Sequence, residues 1–149
     1  MLNLALVALL AALQTSTTPQ QSTAAQPELK GEACTARELV GTWQLASKPS
    51  TPGLTSVLKH VTPTHFFVVR LGEKDVAQSG HGGPYTVANG TYTETLAHGF
   101  AGRFEEFRGA TISSSQCRIN GDVWHVAGEY KGIKLEEQWR RVTGTSAER

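Results

Sequence analysis

The sequence predicts an all-β chain that folds as a single antiparallel up-and-down β-barrel of about eight strands. One stretch alternates apolar residues and glycine along a single strand face: Leu39, Gly41, Trp43 and Leu45. Two dipeptides, Asn89-Gly90 and Asn120-Gly121, lie between short apolar runs, which is typical of two-residue hairpin turns. The 15 glycines and 6 prolines among 149 residues favour many turns over long helices.

The length and charge of the chain limit its organisation and its partners. A chain of 149 residues, of which 39% are hydrophobic, can form one domain with a modest core. Charged residues make up 18% of the sequence, and the formal net charge is +1. So weak a charge provides no basic field for nucleic acid or for an acidic membrane surface. We therefore expect no nucleic-acid partner, and we expect a monomer.

Residues 1–25 are predicted to be a signal peptide. The apolar run Leu2–Leu13 is too short for a membrane-spanning helix, which needs about 20 residues. It matches the apolar segment of a signal peptide, although no Lys or Arg precedes it. Small-residue cleavage sites occur near Ala12 and near Ala24-Ala25, and a buried helix is the alternative. Export would place the mature chain in the periplasm or outside the cell, without an integral membrane span.

Residues 26–37 are predicted to be a linker and a lead-in to the domain. Thr35 could cap a short helical turn there, because Glu38 follows three residues later. The chain has two cysteines, Cys34 and Cys117. In an exported chain an even number of cysteines favours a disulfide, and two separate buried thiols are the alternative.

The barrel domain is predicted over residues 38–143, followed by a polar tail at 144–149. The third strand is apolar on both faces, and Arg70 shares a face with Phe66 and Val68. That face is predicted to point outward, so the inward residues would be His65, Phe67, Val69 and Leu71. The polar, glycine-rich segment 72–83 is predicted to be a loop, and segment 98–109 a loop or a short helix.

The two Asn-Gly turns predict which side chains face the barrel interior. A two-residue turn at Asn89-Gly90 pairs Val87 with Tyr92. The inward face is then Tyr85, Val87, Tyr92, Glu94 and Leu96, where the carboxylate of Glu94 is an anomaly. The turn at Asn120-Gly121 places Cys117 opposite Trp124, with an inward face of Cys117, Ile119, Trp124 and Val126. On the last strand the shared face is Leu135, Glu137, Trp139 and Arg141.

These residues resemble a known group of barrels. Gly41-Thr42-Trp43 resembles the Gly-x-Trp signature of lipocalins and related calycin barrels. The closer resemblance, over about residues 38–142, is to small bacterial lipocalin-like domains of uncharacterised function. The matching pieces are Leu39-Val40-Gly41-Thr42-Trp43, Thr62-Pro63-Thr64-His65-Phe66, Gly82-Gly83-Pro84-Tyr85-Thr86, Thr91-Tyr92-Thr93-Glu94, Gly121-Asp122-Val123-Trp124 and Leu135-Glu136-Glu137-Gln138-Trp139.

The resemblance implies structural roles for three residues near the barrel's closed end. Gly41 and Trp43 would form the Gly-x-Trp motif of the first barrel strand. An arginine near the end of the domain, Arg140 or Arg141, would pack on the Trp43 indole, and we assign this role to Arg141. The sequence departs from the lipocalin pattern because it has no second motif between the sixth and seventh strands. It also lacks the two helices that fatty-acid-binding proteins insert after the first strand.

The predicted interior combines aromatic and polar side chains in a way that suits a ligand pocket. The candidate ligand-binding residues are His65, Tyr85, Tyr92, Glu94, Trp124, Glu137 and Trp139. Aromatic walls with a few polar groups can hold an apolar or aromatic molecule and orient its polar end. Glu94 and Glu137 would accept hydrogen bonds, and His65 would donate or accept one. In the alternative, these groups satisfy one another and only stabilise the barrel.

The leading functional hypothesis is an exported binder of a small hydrophobic or aromatic molecule. An interaction or inhibitor module would instead use the rim loops 72–83 and 98–109 on a protein partner. A small-molecule enzyme would need Glu94, Glu137 and His65 to converge for acid–base chemistry. The sequence contains no nucleophile elbow and no phosphate-binding glycine loop, so no residue is assigned as catalytic and no cofactor is expected. The five histidines lack metal-site spacing, so no metal is expected.

Overall fold

A computed structural model describes residues 29–144 of the chain. The predicted signal peptide and the tail beyond residue 144 lie outside the described residues. The strands are β1 (Glu32–Ala33), β2 (Gly41–Leu45), β3 (Leu54–Val61), β4 (His65–Gly72), β5 (Ala77–Ala88), β6 (Thr91–Thr95), β7 (His98–Phe100), β8 (Thr111–Ser114), β9 (Gln116–Asn120), β10 (Val123–Tyr130) and β11 (Ile133–Arg141). The helices are α1 (Ala36–Leu39) and α2 (Phe104–Phe107), and Glu73–Asp75 forms a 3₁₀ turn.

The strands form one antiparallel sheet curled into a half-barrel. Its order is β1-β9-β10-β11-β2-β3-β4-β5-β6-β8, and β7 pairs with β5. Only Ser115 separates β8, which pairs with β6, from β9, which pairs with β10. The chain therefore passes at Ser115 from β8, at one end of the strand order, to β9, near its other end.

The all-β antiparallel barrel predicted from the sequence is confirmed, with a higher strand count. The described residues contain eleven strands, whereas the sequence predicts about eight. The difference arises because the predicted sixth strand is divided at Ser115, and because β1 and β7 are short additions to the sheet. Among residues 29–144, no helix has the length and apolar character needed to cross a membrane.

The first hairpin adopts the predicted register. Asn89 has φ of 51° and Gly90 has φ of 73°, the two positive values that a type I′ turn requires. Tyr85 pairs with Glu94, and Val87 pairs with Tyr92. The turn therefore brings Glu94 to the barrel interior, where it is buried.

The second hairpin is shifted by two residues from its predicted register. Cys117 pairs with Val126 rather than with Trp124, and Trp124 pairs with Ile119. Asn120 pairs with Val123, so the turn residues are Gly121, at φ of 57°, and the aspartate after it. A shift of two keeps every side chain on its predicted face, because side chains alternate with period two. Trp124 and Cys117 are accordingly buried.

The predicted orientation of β4 is wrong. Phe66 and Val68 are buried, whereas His65 and Phe67 are exposed on the outer surface. Arg70 therefore points inward, where it lines a cavity that opens to solvent.

The glycine-rich segment 72–83 is not the predicted loop but mostly belongs to β5. A Cβ atom on Gly82 would collide with the carbonyl oxygen of Phe66, and one on Gly83 would collide with that of Thr95. These glycines therefore allow neighbouring strands to approach closely rather than forming turns. The strand also places His81 in the sheet, where it lines the cavity.

Helix α1 and Trp43 close one end of the barrel. Thr35 and Glu38 form the predicted capping box at the start of α1. The Trp43 side chain is fully buried, and its indole N–H donates to the Leu39 carbonyl at 2.8 Å. The guanidinium of Arg141 lies 4.1 Å from the Trp43 ring and donates to the Glu38 carbonyl at 2.7 Å. One cation thus holds α1, β2 and β11 together.

The predicted disulfide is present at the same end. Cys34 and Cys117 are bonded, with Cα atoms 5.5 Å apart, and both are buried. The bridge joins the lead-in before α1 to β9, across 83 positions of sequence. It therefore holds the closing helix against the barrel covalently.

Candidate functional site

The barrel contains a cavity of about 1350 Å³ between the Trp43 end and the opposite loops. Its apolar lining includes Leu45, Val57, Val68, Leu96, Ile112 and Val126. Segments 47–54 and 101–104 line its outer part, together with Phe107 of the α2 turn. The polar side chains of its inner part are Lys59, Arg70, His81, Tyr92, Glu94, Ser114 and Glu137.

A buried ion pair lies on the cavity floor. The Lys59 ammonium is 2.7 Å from the Glu94 Oε1 atom, and the two side chains are 4% and 11% exposed. The Tyr92 hydroxyl donates to the same oxygen at 2.8 Å. Burial, and next the Glu94 charge, raises the pKa of the Tyr92 phenol well above its ordinary value. The phenol therefore stays protonated and acts as a hydrogen-bond donor to the carboxylate.

Four aromatic rings surround the Lys59 ammonium. Their centroids lie 4.7 Å from Nζ for Trp139, 5.0 Å for Trp124, 5.4 Å for Tyr92 and 5.7 Å for Phe66. At these distances the ring faces attract a cation, most strongly where water is excluded. The floor therefore stabilises Lys59 through the rings as well as through Glu94.

Arg70 and His81 form a second polar group on the cavity wall. Arg70 Nη1 lies 3.1 Å from His81 Nδ1. Burial, and next the positive charge of Arg70, lowers the pKa of His81 to about 4. The imidazole is therefore neutral near pH 7, and its Nδ1 atom accepts the hydrogen bond from the guanidinium. Burial also lowers the pKa of Arg70, against the opposing effect of the Glu137 charge.

The structure brings four of the predicted ligand-binding residues to the cavity: Tyr92, Glu94, Glu137 and Trp139. Trp139 donates its indole N–H to the Glu137 carboxylate at 3.0 Å. This bond orients the carboxylate along the wall of β11.

The other three predicted residues lie elsewhere. The Tyr85 hydroxyl donates to the Thr62 carbonyl at 2.9 Å, beneath the cavity. Trp124 is fully buried, and its ring centroid lies 5.5 Å from that of Trp43. His65 is exposed on the outer face of β4, so its predicted inward position is wrong and it does not converge with the cavity carboxylates.

Four polar residues of the inner cavity were not predicted from the sequence: Lys59, Arg70, His81 and Ser114. Lys59 alternates with Val57 and Val61, which are both buried, so a lysine on an apolar strand face was the available signal. The sequence does show Glu94 as an unusual carboxylate on an inward face, and Lys59 is its ion-pair partner.

No protein-family model matches the chain, and no curated protein matches it in sequence. Within residues 29–144, no group of three or more His, Cys, Asp or Glu side chains is placed to hold a metal ion. The cavity combines apolar side chains with a neutralised ion pair at its floor and a guanidinium on its wall.

Proposed function

We propose that this protein binds a small hydrophobic or aromatic molecule inside its barrel. The observation that carries the proposal is the cavity of about 1350 Å³, whose lining combines apolar side chains with polar and charged ones. The cavity is open at the end formed by segments 47–54 and 101–104, so a small molecule can reach the apolar side chains deeper in the barrel.

The size and lining of the cavity favour a ligand with a substantial apolar body. Small-molecule pockets have volumes of about 300–1000 Å³, so the cavity can hold a ligand of drug size together with water. The half-buried side chains of Leu45, Leu54 and Ile112 offer apolar contact. The polar groups would fix the orientation of the ligand.

We also propose that the protein is an exported member of the lipocalin-like barrels. The Arg141–Trp43 contact at the closed end supports the relationship, because the resemblance implies this pairing. A buried disulfide supports an oxidising location such as the periplasm or the exterior of the cell.

A second candidate function is contact with a protein partner through the outer face. Phe67 and Phe100 stack with ring centroids 6.3 Å apart, although their residues are 40% and 42% exposed. Exposed neighbouring aromatic rings are typical of interaction surfaces. A Phe67→Ser, Phe100→Ser variant that retains probe binding but loses a partner in crosslinking would support this function, and unchanged crosslinking would contradict it.

The binding proposal can be tested with an uncharged aromatic probe. N-phenyl-1-naphthylamine brightens in apolar surroundings, and titration of the full exported chain should saturate at one probe per protein. Leu135→Trp would place a larger ring in the cavity from β11, whereas Gln138→Trp adds the same ring on the exposed face of that strand. We expect Leu135→Trp to weaken binding and Gln138→Trp to leave it unchanged.

Native mass spectrometry of the exported chain provides an independent test. A bound small molecule whose occupancy falls in Leu135→Trp would support the proposal. Failure of the wild-type chain to bind the probe, or equal binding by both variants, would contradict it.

A further inference from the structure

Arg70 is a partly buried arginine that forms no ion pair within the described part of the chain. Arg103 pairs with Glu106, Arg108 with Glu105 and Arg141 with Asp122. Arg70 is partly buried at the cavity wall, yet no carboxylate among residues 29–144 lies within ion-pair distance of it. Its hydrogen-bond partner there is the neutral His81 ring.

Some N–H groups of the Arg70 guanidinium are still available to donate hydrogen bonds. A guanidinium carries five N–H donors, and the contact with His81 uses one nitrogen, Nη1. Within the described residues, no fully buried side-chain nitrogen or oxygen lacks a hydrogen-bond partner. The remaining guanidinium nitrogens therefore reach accessible space, and Arg70 lines the cavity.

The other charged groups of the inner cavity are already engaged. The Lys59 charge is neutralised by Glu94 at 2.7 Å, so it offers little attraction to a second anion. Glu137 on β11 lines the same cavity, accepts a hydrogen bond from Trp139, and acts on Arg70 through its charge, but it forms no ion pair with the guanidinium. An anion beside Arg70 would therefore meet a cation that no carboxylate of the described residues contacts directly.

The position of Arg70 suits a ligand with one charged end. Arg70 pairs with Val57, whereas Val68 pairs with Lys59 of the aromatic floor. The guanidinium is thus one layer nearer the mouth than the floor. An anionic group at this height would leave the apolar body of the ligand against the floor and the walls.

We propose that the cavity takes an anionic amphiphile, a molecule with an apolar or aromatic body and one anionic group that Arg70 holds. The planar fork of a guanidinium matches carboxylate and other oxyanion groups with two parallel hydrogen bonds. The His81 ring positions this fork by accepting from Nη1. The proposal rests on the function proposed above, because it names the ligand class of the same cavity.

Two probes that differ by a single anionic group test the proposal. 8-Anilinonaphthalene-1-sulfonate carries a sulfonate, and N-phenyl-1-naphthylamine has the same aromatic body without it. In the full chain, we expect Arg70→Gln to weaken sulfonate binding about 10- to 100-fold, because charge-assisted hydrogen bonds are lost. Binding of the uncharged probe should not change. Arg140→Gln, on the exposed face of β11, is the matched control and should leave both probes unaffected.

The outcomes separate this proposal from the function on which it rests. Equal sulfonate affinity in wild type and Arg70→Gln, with the uncharged probe still bound, would overturn the anion site and leave the proposed function intact. Failure of both probes to bind the wild-type chain would refute the proposed function itself. Loss of both probes in Arg70→Gln alone would indicate a structural role and would also overturn the anion site.

A second variant and a stability measurement guard against misfolding. Arg70→Lys keeps the charge but lacks the fork, so its sulfonate affinity should lie between those of the wild type and Arg70→Gln. Replacing a partly buried cation that has no counter-charge should leave the melting temperature of Arg70→Met unchanged or raise it. A clear fall in that temperature would show that Arg70 stabilises the fold, and would contradict the proposal.

Discussion

Replacing Glu94 with glutamine would leave the Lys59 ammonium buried without its carboxylate. Removing one partner of a buried ion pair commonly costs about 3–5 kcal/mol, because the other charge stays desolvated. Here the cost should fall below that range, to about 2–3 kcal/mol, because the rings around Lys59 still attract the cation. Glutamine also preserves an acceptor for the Tyr92 hydroxyl, which donates to Glu94 in the wild type.

Replacing Lys59 with methionine should cost more than the glutamate substitution. The Glu94 carboxylate would remain buried, and the Tyr92 hydroxyl would be its one remaining hydrogen-bond donor among the described residues. The aromatic rings repel an anion at their faces, so we expect a loss of about 3–5 kcal/mol at pH 7.

The Lys59→Met, Glu94→Gln double variant removes both charges while keeping the shape of the site. Its unfolding free energy should lie within about 1–2 kcal/mol of the wild-type value, which gives a coupling of about 3 kcal/mol or more between the two positions. Urea unfolding of all four proteins by circular dichroism measures these terms. Costs that add to within about 0.5 kcal/mol would refute the reasoning.

Two further predictions concern the disulfide and the cavity histidine. Cys34→Ser, Cys117→Ser should lower the unfolding free energy in urea by about 2–5 kcal/mol, since the bridge spans 83 positions; a loss below about 1 kcal/mol would contradict this. His81 has a pKa of about 4 in the folded chain against 6.5 ordinarily, so the unfolded state binds more protons between these values. Wild-type stability should therefore fall by up to about 3 kcal/mol as the pH drops from 6.5 to 4. His81→Gln should lack this component in melting curves recorded against pH, and identical pH profiles would refute it.

Local turn chemistry was sufficient to predict the interior face around Glu94. Asn89 and Gly90 both adopt positive φ, and this turn fixes the pairing of Tyr85 with Glu94. Because the turn sets the register, every side chain of the hairpin follows from it. The anomalous carboxylate was therefore recognised from the sequence.

The second hairpin shows where turn chemistry leaves a choice. Glycine at position 121 can be the second residue of an Asn-Gly turn or the first residue of a Gly-Asp turn, and the structure adopts the second arrangement. The two registers differ by two residues and bury the same side chains, so the hydrophobic pattern cannot distinguish them.

The errors in β4 and β5 came from contacts that are distant in sequence. Arg70 led to the prediction that its face of β4 points outward, because charged side chains are usually exposed to water. Here the barrel interior contains a cavity, and Arg70 lines it. Glycines usually mark turns, whereas Gly82 is required by the nearby carbonyl of Phe66 on another strand. Neither the cavity nor the strand approach is visible in a local window of sequence.

The two ends of the barrel differ in the number of contacts that fix them, and this difference affects how a ligand exchanges and how ligand selectivity can evolve. The Cys34–Cys117 bridge and the Arg141 clamp fix one end, whereas segments 47–54 and 101–104 form the other. Local opening should occur at the loop end at a lower free energy than global unfolding. A ligand could then enter and leave the cavity while the rest of the molecule stays folded. Substitutions in these loops could also change ligand selectivity with little loss of folding stability.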